Sequence, residues 1–305
     1  MLNETLELLE KPRAEEVYML AGWRQWADAG TVSSALPRYL IEQTNARRIG
    51  RVFPESFYLF QVPGTQDFLR PEIKLENGYR KELQRHENQI FYSGNSRKGL
   101  VIFVGDEPHL NAERYADVFF TIAREMRARR VISFGGVYAS VPYDTDRQIS
   151  CTYSLPRLKD ELNEYAVRFS NYEGGVSIGS YLVDRAEQLE LEYVSMYAFV
   201  PMYDLTQISP MLKGLSVEQD WKAWYDIMRR VDHMCKLGLD LSHLETKSRD
   251  LIRSVGEQID ALEEKMPDAN VREFLRKASE EFEEQSFMPL DDVWQTGLDD
   301  IFRDS

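Results

Sequence analysis

Apolar residues recur along this chain in short unbroken runs, each followed by a glycine-containing loop and then by a stretch with helical spacing. The order first appears as Val17-Tyr18-Met19-Leu20, the loop from Gly22 to Gly30, a helical stretch through Leu40, and the run Arg47 to Phe53. It returns as the run 100–105, the loop 106–111, a helical stretch over 113–128 and the run 130–136. A third copy has the loop 172–179, a helical stretch over 180–191 and the run 193–201. Runs that are continuously apolar, rather than alternating, suit strands covered on both faces. Their alternation with helices of about a dozen residues predicts βαβ units, and so an α/β fold with a mainly parallel sheet flanked by helices.

Two regions break the pattern. Residues 53–99 hold Pro71, an Asn77-Gly78 pair and alternating polar positions, which predict antiparallel hairpins or an edge extension of the sheet. After Pro210 the spacing becomes helical throughout. Ser216 with Gln219, and Ser242 with Glu245, have the capping-box spacing. Trp221, Trp224, Tyr225, Met228, Val231 and Cys235 fall on one helical face, as do Leu244, Leu251, Val255, Ile259, Leu262 and Met266. Pro267 separates these from a third helix carrying Val271, Phe274, Leu275, Ala278 and Phe282. The expected division is an α/β domain over 1–210 and a C-terminal helical extension with an acidic tail over 211–305; residues 286–305 are expected to be loosely held.

With 305 residues, 43% of them apolar, the chain can bury a sizeable core. Its net charge of −14 argues against a nucleic-acid partner, because the basic stretch Arg124 to Arg130 is interleaved with Glu125, Met126 and Ala128. The acidic N-terminal stretch lacks the basic start and apolar core of a signal peptide, and the run 100–104 is far too short to cross a bilayer. A cytoplasmic protein with no membrane partner is expected. Cys151 and Cys235, the two cysteines, form neither a disulfide framework nor a metal-ligand pair.

Candidate chemistry gathers where loops follow strands, the usual place for ligands in a parallel sheet. Asp106, Glu107 and His109 follow the run 100–105 and offer acid, base or ligand groups, although acidic residues before a helix are also ordinary caps. No further ligand spacing accompanies them, so no metal is expected. Asp28 either caps the helix after it or, pocketed between Trp23 and Trp26, titrates high as a base. Gly135-Gly136 and Gly174-Gly175 could set backbone amides around an anion. They match neither a dinucleotide fingerprint nor a phosphate loop, no nucleophile elbow occurs, and no cofactor is expected.

Six segments stand in a collinear order: GWRQWADAG, FYLFQV with LRPEIKLENG, VGDEPH, FGGVYASVPYDTDR, YEGGVSIGSYL and MYAFVPMY. In that order the chain resembles the proteasome assembly chaperone 2 family, its bacterial and archaeal branch, from about Val17 to Tyr203. The resemblance implies a nucleoside-phosphorylase/hydrolase-like α/β domain, homo-oligomers such as trimers, and protein partners without established catalysis. The expected binding residues are those of the strand-end loops and the turn after them: Trp23, Trp26, Asp28, Gly30, Asp106, Glu107, His109, Gly135, Gly136 and Arg147. The chain departs from the family in two places. It ends Phe302-Arg303-Asp304-Ser305, without the penultimate tyrosine through which such chaperones dock on proteasome subunits, and Tyr143 stands where a histidine is usual. A homo-oligomeric protein-interaction factor is the leading expectation. A hydrolase or transferase acting on a small anionic or nucleoside-like ligand through Asp28, Asp106, Glu107 and His109 is the alternative.

Overall fold

The computed structural model describes residues 5–24, 26–60, 71–86, 88–208, 214–279 and 282. The acidic tail expected to be loose lies outside them, as do residues 61 and 62 of the run FYLFQV. The strands are β1 (Leu6–Leu8), β2 (Glu16–Arg24), β3 (Arg47–Val52), β4 (Glu72–Glu76), β5 (Tyr79–Gln84), β6 (Asn88–Gly94), β7 (Lys98–Asp106), β8 (Ala128–Ala139), β9 (Ile149–Tyr153), β10 (Arg168–Phe169), β11 (Glu192–Tyr203) and β12 (Leu215–Ser216). The helices are α1 (Leu36–Gln43), α2 (Ala112–Glu125), α3 (Lys159–Asn163), α4 (Ile178–Gln188), α5 (Trp221–Cys235), α6 (Ser242–Lys265) and α7 (Val271–Ala278). By their contacts the residues form two compact units: 1–136 with 151–158 and 170–197, and 137–150 with 159–169 and 198–305.

In the first unit the strands lie in the order β1, β3, β6, β7, β2, β8, β11, β9. β2 sits between β7 and β8, parallel to both, so the expected α/β fold and the parallel centre of its sheet are observed. The strands β6, β3 and β1 extend the sheet in antiparallel pairing, while β4 and β5 form a separate hairpin. The region 53–99 therefore contains both of the forms its pattern predicted.

β2 is buried at every position from Val17 to Trp23, which explains its unbroken apolarity. Side chains alternate across a strand. Val17, Met19, Ala21 and Trp23 accordingly join the core that includes Tyr115, Phe119 and Ile122 of α2 and Ile178 and Leu182 of α4. The other face of β2 meets the α1 side, and there Gly22 lies under the chain at Ser33 and Pro37. Trp23 requires a correction. The strand runs on to Arg24, two residues beyond the expected loop start, and the alternation turns the indole inward. It is 2% exposed, with ring centroids 5.4 Å from Phe119 and 5.8 Å from Phe103, and belongs to no binding surface. An aromatic side chain buried in this way contributes roughly 4 kcal/mol of apolar burial.

In the second unit α5 buries Trp224, Met228, Val231 and Cys235 of the face its spacing predicted, leaves Trp221 and Tyr225 half-buried, and buries Ala223 and Ile227 beyond it. Its cap differs from the expectation. Asp220, not Ser216, accepts from the amide of Ala223 at 3.0 Å, and Ser216 lies in β12. Ser242 likewise falls inside the first turn of α6, with its amide held by Asp240 at 3.0 Å. α6 buries Leu244, Val255 and Ile259, and a single turn at Pro267–Ala269 separates it from α7.

A methyl group at Gly22 would stand 1.9 Å from the Ser33 carbonyl oxygen and 2.8 Å from Pro37 Cγ. Gly22→Ala is therefore expected to lower unfolding free energy by about 1–3 kcal/mol or more, read as a lower denaturant midpoint; an unchanged midpoint would contradict this packing.

Candidate functional site

Parallel pairing of β2 with β7 sets Arg24 directly beside Asp106 at the C-terminal edge of the sheet. The guanidinium holds the carboxylate by two bonds, Nε to Oδ1 at 2.9 Å and a terminal nitrogen to Oδ2 at 3.2 Å. His86 Nδ1 lies 3.1 Å from the same Oδ2. The Tyr58 ring stacks on His86 with centroids 4.5 Å apart, and His109 meets both rings edge-on. From the core, Trp23 Nε1 donates to the Tyr115 hydroxyl, which donates to Asn88 Oδ1, both at 2.8 Å. The Tyr58 hydroxyl, 3.0 Å from that Oδ1, stands 2.6 Å from the Asp106 carbonyl oxygen. Burial pushes the Tyr58 and Tyr115 hydroxyls up, so both stay protonated as donors.

The neighbouring groups are held just as closely. His109 Nδ1 accepts from the amide of Leu59 at 3.1 Å, which requires that nitrogen unprotonated, and Nε2 has no hydrogen-bond partner among the described residues. Burial, with His86 beside it, pulls His109 below the ordinary histidine range. Glu107 accepts from the first amide of α4, at Ile178, and from the amide of Trp26. Asp28 Oδ1 accepts from Ser33 and Ser34, both at 2.9 Å, in the turns leading into α1. Burial raises both carboxylates despite these bonds.

The glycines serve packing. Gly30 takes a left-handed φ of 62°. Gly136 bridges to Asp28, and a Cβ there would stand 2.0 Å from the Ala29 carbonyl. A Cβ on Gly135 would meet the Tyr197 ring at 2.3 Å, and the Tyr197 hydroxyl is bonded to Ser177 at 2.7 Å and Ser180 at 2.9 Å. The amide of Gly136 is given to the Ala27 carbonyl at 2.8 Å, and protein packs against both glycines. At the start of α4 the amide of Ile178 goes to Glu107 and that of Ser180 to Ser177.

Arg147 needs the second correction. It lies in the second unit with a side chain 1% exposed, its Nε bonded to Asp220 at 2.8 Å. A terminal nitrogen holds the carbonyl of Tyr143 at 3.0 Å, and its amide donates to Asp226 at 2.7 Å. It pins its own turn to α5 and presents no binding group to solvent. Of the expected residues, the strand ends bring together Asp28, Gly30, Asp106, Glu107, His109, Gly135 and Gly136, with Trp26 at the rim, 63% exposed. Arg24, Tyr58, His86, Asn88, Tyr115 and Tyr197 complete the site and were not singled out from sequence. Large apolar side chains are left to solvent nearby, Trp26, Phe60, Tyr172 and Val176, with the polar Asn171 and Glu173 exposed among them.

A model of the PAC2 family matches residues 4–259. The chain belongs to the PAC2 family. No functionally curated protein shows significant similarity to it. Among solved structures, a PAC2 family protein from Streptomyces avermitilis is 21% identical with a TM-score of 0.66, covering 80% of this chain and 97% of that one. A proteasome-assembly chaperone homologue from Mycobacterium tuberculosis is 20% identical, TM-score 0.66, covering 79% and 95%. An archaeal proteasome activator from Pyrococcus furiosus is 15% identical, TM-score 0.57, covering 83% and 97%. At these identities the likeness is one of fold. In this PAC2 protein no described helix is long and apolar enough to cross a membrane, and no described cluster of His, Cys, Asp and Glu has the makings of a metal site.

Two measurements follow from this geometry. Because His109 is held below its ordinary value of 6.5, the unfolded chain binds the proton first as pH falls. The stability it contributes is complete above that value and is lost as pH drops towards the folded one. Asp28 and Glu107, held above ordinary values of 3.8 and 4.5, work in the opposite sense, their contribution fading as pH rises through the folded values. His109→Asn should therefore flatten the fall of Tm between about pH 7 and about pH 5.5; an unaltered slope would count against the burial of this imidazole. Arg147→Met, which leaves Asp220 buried without its cation, should cost about 3–5 kcal/mol by denaturant unfolding, with Arg147→Met/Asp220→Asn, which removes the stranded charge but keeps a cap acceptor for α5, recovering part of the loss.

Proposed function

We propose that this PAC2 protein is a cytoplasmic, homo-oligomeric protein-interaction factor of the proteasome-assembly-chaperone kind. Its binding surface is the apolar rim at the strand ends of the first unit. The observation that carries the reading is a division of labour there. Asp28, Asp106 and Glu107 are each bonded within the unit, while Trp26, Phe60, Tyr172 and Val176 face solvent at 58–71% exposure. Exposed aromatic groups around a rigid scaffold favour a protein partner. The family likeness to chaperone homologues and to a proteasome activator makes proteasome α-subunits the partner class to test first.

The alternative, a hydrolase or transferase, has the His86–Asp106 pair in its favour, since a carboxylate-oriented imidazole is a common base. Against it, Arg24 engages both oxygens of that carboxylate.

Purified chain is expected to bind recombinant α-subunits of its own organism in calorimetry, and Trp26→Ser to weaken binding about tenfold at unchanged Tm. No binding, or binding indifferent to Trp26 and Phe60, would overturn the assignment, and hydrolytic turnover lost in His86→Ala would favour the alternative.

A further inference from the structure

The hairpin β4–β5 stands apart from the main sheet as a two-stranded sheet of its own. Its turn is Asn77-Gly78, with φ of 50° and 80°, the positive angles that a tight type I′ turn requires. β4 reads Glu72-Ile73-Lys74-Leu75-Glu76, a strict alternation of charged and apolar residues, and all five are exposed. Such alternation is the pattern of a strand with one face covered. Yet Ile73 and Leu75 are 57% and 58% exposed, and Tyr79 beside the turn is 77% exposed. Ile73 pairs with Leu83 across the hairpin, so one face carries Ile73, Leu75 and Leu83 together. An isolated two-stranded hairpin is marginal in water, and an exposed regular edge is a template for another strand.

Charge identifies the occupant. Over 72–83 the acidic Glu72, Glu76 and Glu82 are balanced by Lys74, Arg80 and Lys81, within a chain of net charge −14. Two copies repel over most of their surfaces but meet here without that cost. The alternation is also self-complementary. When two β4 strands run antiparallel about Leu75, Lys74 of each copy faces Glu76 of the other; about Ile73, it faces Glu72. Opposite charges directly across strands stabilise and like charges destabilise.

We propose that the β4–β5 hairpin is a self-association arm. β4 pairs antiparallel with β4 of a second copy across a two-fold axis, Lys74 facing a glutamate of the other copy and the apolar faces continuing side by side. This rests on the homo-oligomer reading above and supplies its contact.

The test uses the full chain in sedimentation velocity and light scattering over a micromolar concentration series, with circular dichroism to confirm folding of each variant. Lys74→Glu should raise the dissociation constant at least about tenfold. The five-fold reversal Glu72→Lys/Lys74→Glu/Glu76→Lys/Lys81→Glu/Glu82→Lys, which keeps opposite charges facing each other between copies and across the hairpin pairs Lys74–Glu82 and Glu76–Lys81, should restore it to near the original value. Ile73→Asp/Leu75→Asp should leave the hairpin contact broken. A chain monomeric throughout the series overturns both the oligomer reading and this inference. An oligomer indifferent to Lys74→Glu and to Ile73→Asp/Leu75→Asp overturns the inference alone. A five-fold reversal as weak as Lys74→Glu overturns the pairing as well.

Discussion

Everything at the strand ends depends on one constraint, the complete burial of β2 between two parallel neighbours. A strand covered on both faces and paired on both edges can expose chemistry only at its end. At that end the register sets Arg24 against Asp106. The pair is partly screened from water, with the carboxylate side chain 6% exposed and the guanidinium 29%. A buried carboxylate needs its cation and its hydrogen bonds together, since removal of one partner strands the other. His86 and the Tyr58 stack close over it, and the Asn88–Tyr115–Trp23 chain anchors this polar cluster to the core. The cluster is therefore a rigid floor, and the exposed Trp26 and Phe60 follow it in the chain.

Local signals were legible in the sequence and non-local ones were not. The runs at Val17 and Leu100 declare buried strands, and the helical faces of α5 and α6 follow from spacing alone. Trp23 was misplaced because Gly22 reads as the start of a loop, whereas here it is a strand residue demanded by the close passage of Ser33 and Pro37. Asp28 does not cap α1, whose cap residue is Ala35; it accepts the amides of Ser33 and Ser34 in the turns before the helix, and burial raises it. His86 reaches Asp106 from twenty positions away by the antiparallel return of β6 beside β7, a pairing no short motif encodes. The cap on α5 was assigned to Ser216 because its capping-box spacing is local, while Asp220 also answers a distant arginine.

The second unit solves a different problem with the same means. Arg147, Asp220, Asp226 and Arg230 are all buried, and Lys222 bonds both Asp146 and Asp226. Arg230 donates to the carbonyl of Tyr165 at 2.8 Å. These charges satisfy turns that lack secondary-structure partners, so α5 acts as a spine to which irregular chain is fastened. A family member that binds partners through its loops needs the loops it does not use to be fixed, and buried arginines with several donors are suited to that work.

The carboxylate of Glu107 on the first turn of α4 has a wider meaning. In many α/β proteins a helix start beside a strand end receives a phosphate. Here the chain supplies its own anion, tethered a few ångströms away and so present at an effective concentration that a dilute free ligand does not match. The fold has in this sense answered the question of an anionic ligand internally. Replacing Glu107 with a small residue would free the Ile178 amide at the start of α4 for an external anion without altering the sheet.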